Sequence, residues 1–198
     1  RPTHGSTPWD AAKFEVCGQK WADLSEKNYG VALLNDCKYG HSTEGGTLSL
    51  TCLKCATNPN PVADQGLHTF SYALLPHEGD LFDAGVIQEA YAFNQPLDTV
   101  AIGKQTGNLP ETFSLVTCDA PNVIVETVKK AEDDDNMIVR MYESWNAKAT
   151  ATLTVPDGFT SAKLVNLMEE EIQDLPMTDN TVTLQLHNFE IATVKFIR

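Results

Sequence analysis

Asn35, Asp36, Lys38 and Tyr39 stand together just past the apolar run of residues 31–34, and their side chains are the types needed to hold a polyol. A carboxylate accepts hydrogen bonds while an ammonium or amide donates them, so the set can grip two neighbouring sugar hydroxyls. An aromatic ring beside them offers an apolar surface to the pyranose carbons. A strand end is a rigid platform for loop residues of this kind. The plainer alternative is a hairpin whose Asp and Lys make a weak exposed pair. A second group lies nearer the start, where Arg1, His4 and Asp10 surround Trp9. Trp9 either stacks on a sugar ring in a cleft wall or plugs a core with its indole N–H on a backbone partner.

The other chemistry-bearing residues read as structural. Cys52 and Cys55 form a C-x-x-C, but on a strand residues three apart face opposite ways and cannot share a metal. No second pair and no neighbouring His pair completes a tetrahedral set. His68 reads as a hydrogen-bonded core histidine, His77 as a loop or interface residue and His187 as a strand-end residue. Trp21 reads as core, with Asp23 and Ser25 as turn or cap residues. Asp133 and Asp135 are near enough in sequence for the carboxylate pair of a glycosidase. An acidic hairpin tip, however, lacks the apolar pocket that would raise one pKa.

Strands must position these residues, because most periodic segments alternate with period two. Alternation predicts strands over 12–16, 48–52 and 68–74, the last with His68, Phe70, Tyr72 and Leu74 on one face. Continuous apolar character predicts another over 30–34, and Gly40, Gly45 and Gly46 punctuate a long hairpin between it and 48–52. A helical period covers only 84–93, and Pro96 closes it. Residues 102–113, with two glycines and Pro110, read as a linker. Beyond them, strands over 123–128 and 137–142 flank an acidic turn at 132–135. Further strands over 151–155, 162–167, 181–186 and 189–196 follow at sandwich-like spacing. The fold class is all-β, in two packed modules.

The chain has 198 residues, with 14 basic against 27 acidic side chains and a net charge of −13. Nucleic-acid and membrane-surface partners are excluded, because both need a basic face. No run approaches the roughly 18 apolar residues that span a bilayer, and no signal-peptide pattern is present. The sequence starts at Arg1 without an initiator Met, which leads to the expectation of a domain cut from a longer chain. Cysteine usage is odd in number (Cys17, Cys37, Cys52, Cys55 and Cys118), and four of the five lie in apolar runs. That pattern points to a reducing, cytoplasmic compartment.

Two blocks, Arg1-Pro-Thr-His-Gly-Ser-Thr-Pro-Trp-Asp10 and Tyr29-Gly-Val-Ala-Leu-Leu-Asn-Asp-Cys-Lys-Tyr-Gly40, carry a family resemblance. The chain resembles the region after the catalytic barrel of glycoside hydrolase family 38 α-mannosidases, of the cytosolic and bacterial type. The likeness continues through Pro59-Asn-Pro-Val-Ala-Asp-Gln-Gly-Leu-His-Thr-Phe-Ser-Tyr-Ala-Leu-Leu-Pro-His77 and Ala92-Phe-Asn-Gln-Pro-Leu97. It reaches Val128-Lys-Lys-Ala-Glu-Asp133 and Phe189-Glu-Ile-Ala-Thr-Val194. Pro8 stands where a serine is more usual and Gln19 where a histidine is common, so no proton donor is expected at position 19.

The resemblance implies that residues 1–105 are part of a large antiparallel β-sandwich, a supersandwich of the galactose-mutarotase-like kind. It implies a small terminal β-sandwich domain over 113–198, joined through a linker at 106–112. The parent enzyme would hydrolyse terminal α-D-mannosides with retention, using an aspartate nucleophile and a zinc ion. The zinc ligands and the nucleophile would lie in the barrel, outside this chain, so no catalytic or metal-binding residue is assigned here. The expectation is a C-terminal region that is inactive alone, packs on its own catalytic barrel and lines part of a cleft for mannosides or oligomannose glycans. Asn35, Asp36, Lys38 and Tyr39, with His4 and Trp9, would be its sugar-facing residues. The alternative is an autonomous carbohydrate-binding or oligomerisation β-sandwich module, and a homo-oligomer is possible in either case.

Overall fold

A computed structural model describes residues 7–108 and 110–198. The chain divides into two compact units, residues 1–103 and 104–198. In the first, a single helical turn, Pro8–Ala11 (α1), precedes Val16–Cys17 (β1), Trp21–Ser25 (β2) and Tyr29–Asn35 (β3). Gly40–Glu44 (β4), Thr47–Thr51 (β5), Tyr72–Glu78 (β6) and the helix Val86–Asn94 (α2) follow. The strands form two three-stranded antiparallel sheets, ordered β2-β3-β6 and β1-β4-β5.

β3 is central because it carries the longest apolar run, and its register decides what faces the helix. Trp21 lies opposite Leu34, Asp23 opposite Ala32, Ala73 opposite Leu34 and Leu75 opposite Ala32. Paired residues share a face, so Trp21, Ala32, Leu34, Ala73 and Leu75 form one apolar surface that Val86 and Ala90 of α2 cover. The helix has nine residues, too few to be stable alone in water, so this burial holds it in place. Its entry needs Gly85, which sits at φ 65, a left-handed conformation that a side chain resists. The opposite face of the sheet, with Leu24, Val31, Leu33 and Leu74, frames an apolar groove of about 340 Å³ completed by Leu48.

The second unit comprises Thr117–Cys118 (β7), Val123–Lys130 (β8), Met137–Glu143 (β9), Ala149–Thr154 (β10) and Ser161–Val165 (β11). Glu171–Leu175 (β12), Met177–Thr178 (β13), Thr181–Leu186 (β14) and Ile191–Ile197 (β15) complete it. A five-stranded sheet, β12-β11-β15-β9-β8, packs on a four-stranded one, β13-β14-β10-β7. Alternate residues fill the space between them: Val139 and Met141 of β9, Ala151 and Leu153 of β10, Val182 and Leu184 of β14, and Val194 and Phe196 of β15. Phe159 closes one end edge-to-face on Phe196, with ring centroids 5.8 Å apart.

Several predicted strands shift for one reason: a strand exists only where a partner offers its backbone. Residues 12–15 are not strand, because pairing begins at Val16 opposite His41. The strand expected over 68–74 is instead β6, because β3 ends at Asn35 opposite Tyr72. Residues 52–71 consequently form a long irregular loop. β12 was not anticipated; four of its five residues are exposed, so it shows no alternation to read.

Candidate functional site

The turn after β3 is built from beneath. Asn35 is fully buried; its backbone N–H donates to Lys20 O at 2.9 Å, and its carbonyl accepts from Asn94 Nδ2 of α2 at 2.9 Å. Its side-chain Oδ1 accepts the Lys38 backbone N–H at 3.2 Å, closing an Asx-type turn. Below it lies His41, 3% exposed. The ring nitrogen Nδ1 is 3.2 Å from Tyr39 O; since a carbonyl only accepts, Nδ1 carries the proton. Nε2 then accepts a long contact of 3.5 Å from Asn35 Nδ2. Burial pushes the His41 pKa down, against the pull of the Tyr39 carbonyl and Glu15, so the ring is held neutral. Gly18 and Gly40 let these chains approach: a Cβ at Gly40 would come within 2.6 Å of Glu15 Oε1, and one at Gly18 within 3.1 Å of His41 Nδ1.

Asp36 is half-buried and turned towards the end of the loop 52–71. Its Oδ2 accepts the Ser71 N–H at 2.9 Å while its own N–H donates to Ser71 O at 3.3 Å. The Cys37 thiol and then the Ser71 amide hold its carboxyl below the usual carboxylate range. The same contact pushes the Cys37 thiol up, so Cys37 is not an activated nucleophile. Lys38 lies with Nζ 5.0 Å from the centre of the Phe70 ring, a cation–π distance. Tyr39 is 43% exposed. Of the four residues expected to grip a polyol, Asn35 is buried and faces inward, Asp36 and Lys38 are half-buried and engaged with Ser71 and Phe70, and Tyr39 is exposed.

The other candidates fall elsewhere. His4 lies outside the described residues. Trp9 sits on the single turn α1 and is 80% exposed, so it is not a core plug of this unit. Thr7 caps that turn by accepting the Asp10 N–H at 3.2 Å. His68 is exposed rather than core, donating from Nε2 to Asp64 O at 2.8 Å. Cys52 and Cys55 lie past the end of β5, Cys55 at φ 52 with its N–H on Asp64 Oδ2 at 3.2 Å, and all five cysteines are free. Lys195 pairs with Asp134 at 2.6 Å and Lys130 with Asp135 at 2.5 Å, so the acidic tip is a salt-bridged turn.

Three buried titratable side chains, Asp23, His77 and Glu143, were missed in the sequence. Asp23 is neither turn nor cap, and His77 is not in a loop: His77 Nε2 meets Asp23 Oδ1 at 3.0 Å, with side chains only 5% and 3% exposed. This pair ties β6 to β2 across Gly30, where a Cβ would come within 2.5 Å of both His77 and Ser25. Gly30 opens β3 and Asn35 closes it, so at the strand rise the pair lies roughly 17 Å from the turn and forms no common site with it. In the second unit Glu143 is fully buried. Its Oε1 accepts from Asn122 Nδ2 at 3.0 Å and Trp145 N at 2.7 Å, and its Oε2 from Phe189 N at 3.0 Å. Burial alone would raise its pKa, but the amides of Phe189, Trp145 and Ala147 outweigh it and hold it below the ordinary value. A carboxylate so engaged is a structural anion, not a general acid.

Both units are antiparallel β, the second a sandwich of a five-stranded and a four-stranded sheet, which defines the chain as an all-β protein. Residues 1–62 match the family model described as the glycosyl hydrolases family 38 C-terminal domain, and residues 122–194 that of the family 38 C-terminal beta sandwich domain. The chain belongs to glycosyl hydrolase family 38. It is 41% identical to alpha-mannosidase G of Dictyostelium discoideum over 203 residues, which takes in 100% of this chain and 18% of that protein. It is 39% identical to the human alpha-mannosidase 2C1 over 202 residues, covering 100% of this chain and 19% of that one. The chain thus spans about a fifth of the length of these relatives. The crystal structure of an alpha-mannosidase from Enterococcus faecalis V583 superposes with a TM-score of 0.78, over 99% of this chain and 23% of that one, and at 22% identity shows a shared fold.

Proposed function

We propose that this chain is the C-terminal β region of a retaining α-mannosidase acting on terminal α-D-mannosides, inactive alone. Its work is to support a catalytic barrel and to line one wall of the sugar cleft. The observation that carries this reading is the end-to-end match to α-mannosidases at 41% and 39% identity. At the wall, the Lys38 ammonium donates to a sugar hydroxyl and the exposed Tyr39 ring meets the pyranose carbons. Trp9, and His4 near it in sequence, extend the wall. Oligomannose glycans and their simpler mannosides are the ligands this chemistry suits.

The family's zinc does not fit the residues of this chain. Among the described residues, no three His, Cys, Asp or Glu side chains converge on a point where a metal could sit. In this proposal the ion's ligands and the nucleophile lie in the remainder of the enzyme. Free cysteines throughout support a cytoplasmic location. Among the described residues no helix is long and apolar enough to cross a membrane.

An assay of the chain by itself on an aryl α-mannoside with added zinc tests the proposal; no turnover is expected, and measurable turnover contradicts it. The exposed Trp9 favours one second reading, an autonomous sugar-binding module. Tryptophan fluorescence that saturates with millimolar mannose or mannobiose on the chain alone would establish that reading instead.

A further inference from the structure

The loop of residues 52–71 has neither helix nor sheet pairing. Structureless loops longer than about 12–15 residues in compact domains are usually either functional or disordered linkers. This one is ordered by its own polar contacts. Asp64 is the hub: its Oδ2 accepts from Cys55 N and its carbonyl from His68 Nε2. Asn60 Oδ1 accepts the Val62 N–H at 3.1 Å. At residues 70 and 71 the loop meets the turn after β3, through Phe70 on Lys38 and Ser71 on Asp36. Asp36 holds Ser71 twice, by backbone and by side chain, one step beyond the last ladder pair of Asn35 with Tyr72.

The loop's outward groups suit a neutral hydroxylic ligand. His68 donates its Nε2 proton to Asp64 O, which leaves the Nδ1 lone pair as an acceptor for a hydroxyl. Leu67 beside it is 97% exposed and offers an apolar contact. We infer that Asp36 is a positioning residue: it latches the loop 52–71 through Ser71, and acts on the sugar-binding wall only through the loop it holds. The inference rests on the reading of the turn after β3 as part of that wall.

The test uses the complete enzyme carrying Asp36→Ala or Asp36→Asn. Asparagine keeps an oxygen that accepts the Ser71 N–H, whereas alanine removes it. Chymotrypsin cleavage within residues 52–71, followed by mass spectrometry, reports the latch; kcat and KM on an aryl α-mannoside report the wall. Asp36→Ala is expected to raise loop cleavage roughly tenfold, the scale of losing a hydrogen bond to a charged group. It is also expected to raise KM more than it lowers kcat, and Asp36→Asn to restore both readouts. A loop that stays protected in Asp36→Ala overturns the inference. So does an Asp36→Asn enzyme with a closed loop and an alanine-like KM, because the carboxylate would then touch the sugar itself while the wall reading survived. An opened loop with unchanged KM overturns it as well, and Lys38→Ala in the same assay then shows whether the wall reading falls with it.

Discussion

Glu143 is an ionised carboxylate without exposure, held by an amide side chain and by backbone N–H groups from two loops. Glu143→Gln turns one oxygen into a donor facing a donor, and should cost roughly 3 kcal/mol in urea unfolding. Its folded pKa lies below the ordinary glutamate value of 4.5, so its contribution is present above that value and is lost as pH falls through the folded one. The wild-type advantage over Glu143→Gln should therefore shrink in acid; an unchanged difference at low pH would refute the assignment. His77 has the opposite sign. Its partner Asp23 raises it above 6.5, so the pair's contribution is full below 6.5 and is lost as pH rises through the folded value. An NMR titration should place the His77 midpoint above 6.5, and Asp23→Asn should lower it. The strand-end set of residues 35–39 could be read from residue types and a stopped apolar run. The inward direction of Asn35 and Asp36 could not, because Asn94 and Ser71 lie 59 and 35 positions away in the chain.

At the scale of elements, hydrophobic period located the strands whose partners are themselves apolar. β3, β9, β10, β14 and β15 have alternating or continuous buried patterns, and such patterns are legible without knowing the neighbour. Residues 68–74 misled because alternation persists after the partner strand has ended. Pro59, Pro61 and Gly66 were the signals of a loop. Gly30 belongs to this scale too, since its missing side chain lets β2, β3 and β6 carry a buried His–Asp pair. Gly30→Ala should destabilise the first unit by about 2 kcal/mol through overpacking, seen as an earlier urea transition of that unit with the second unit unmoved. A shift of both would mean that the strain spreads beyond β2, β3 and β6.

At the scale of the whole molecule, the two units differ in how completely they bury their apolar faces. The second unit closes a core between two sheets, so residues 104–198 expressed alone should unfold in one cooperative step. The first leaves Tyr29 52% exposed and Leu74 66% exposed beside its apolar groove, so residues 1–103 alone should bind a hydrophobic dye strongly. A dye-silent first unit would show that the groove closes on itself. The family relationship was legible in long sequence blocks, whereas the contacts that hold Asn35 and Asp36 come from Asn94 and Ser71, far away in the chain. The central proposal is that this chain lines a mannoside cleft with Lys38 and Tyr39 and performs none of the bond cleavage. The most direct measurement is kcat/KM of the complete enzyme with Lys38→Ala and Tyr39→Ala combined. Losing one charged and one aromatic sugar contact is expected to lower it on the order of a hundredfold, with the melting temperature unchanged. A wild-type kcat/KM would contradict the account.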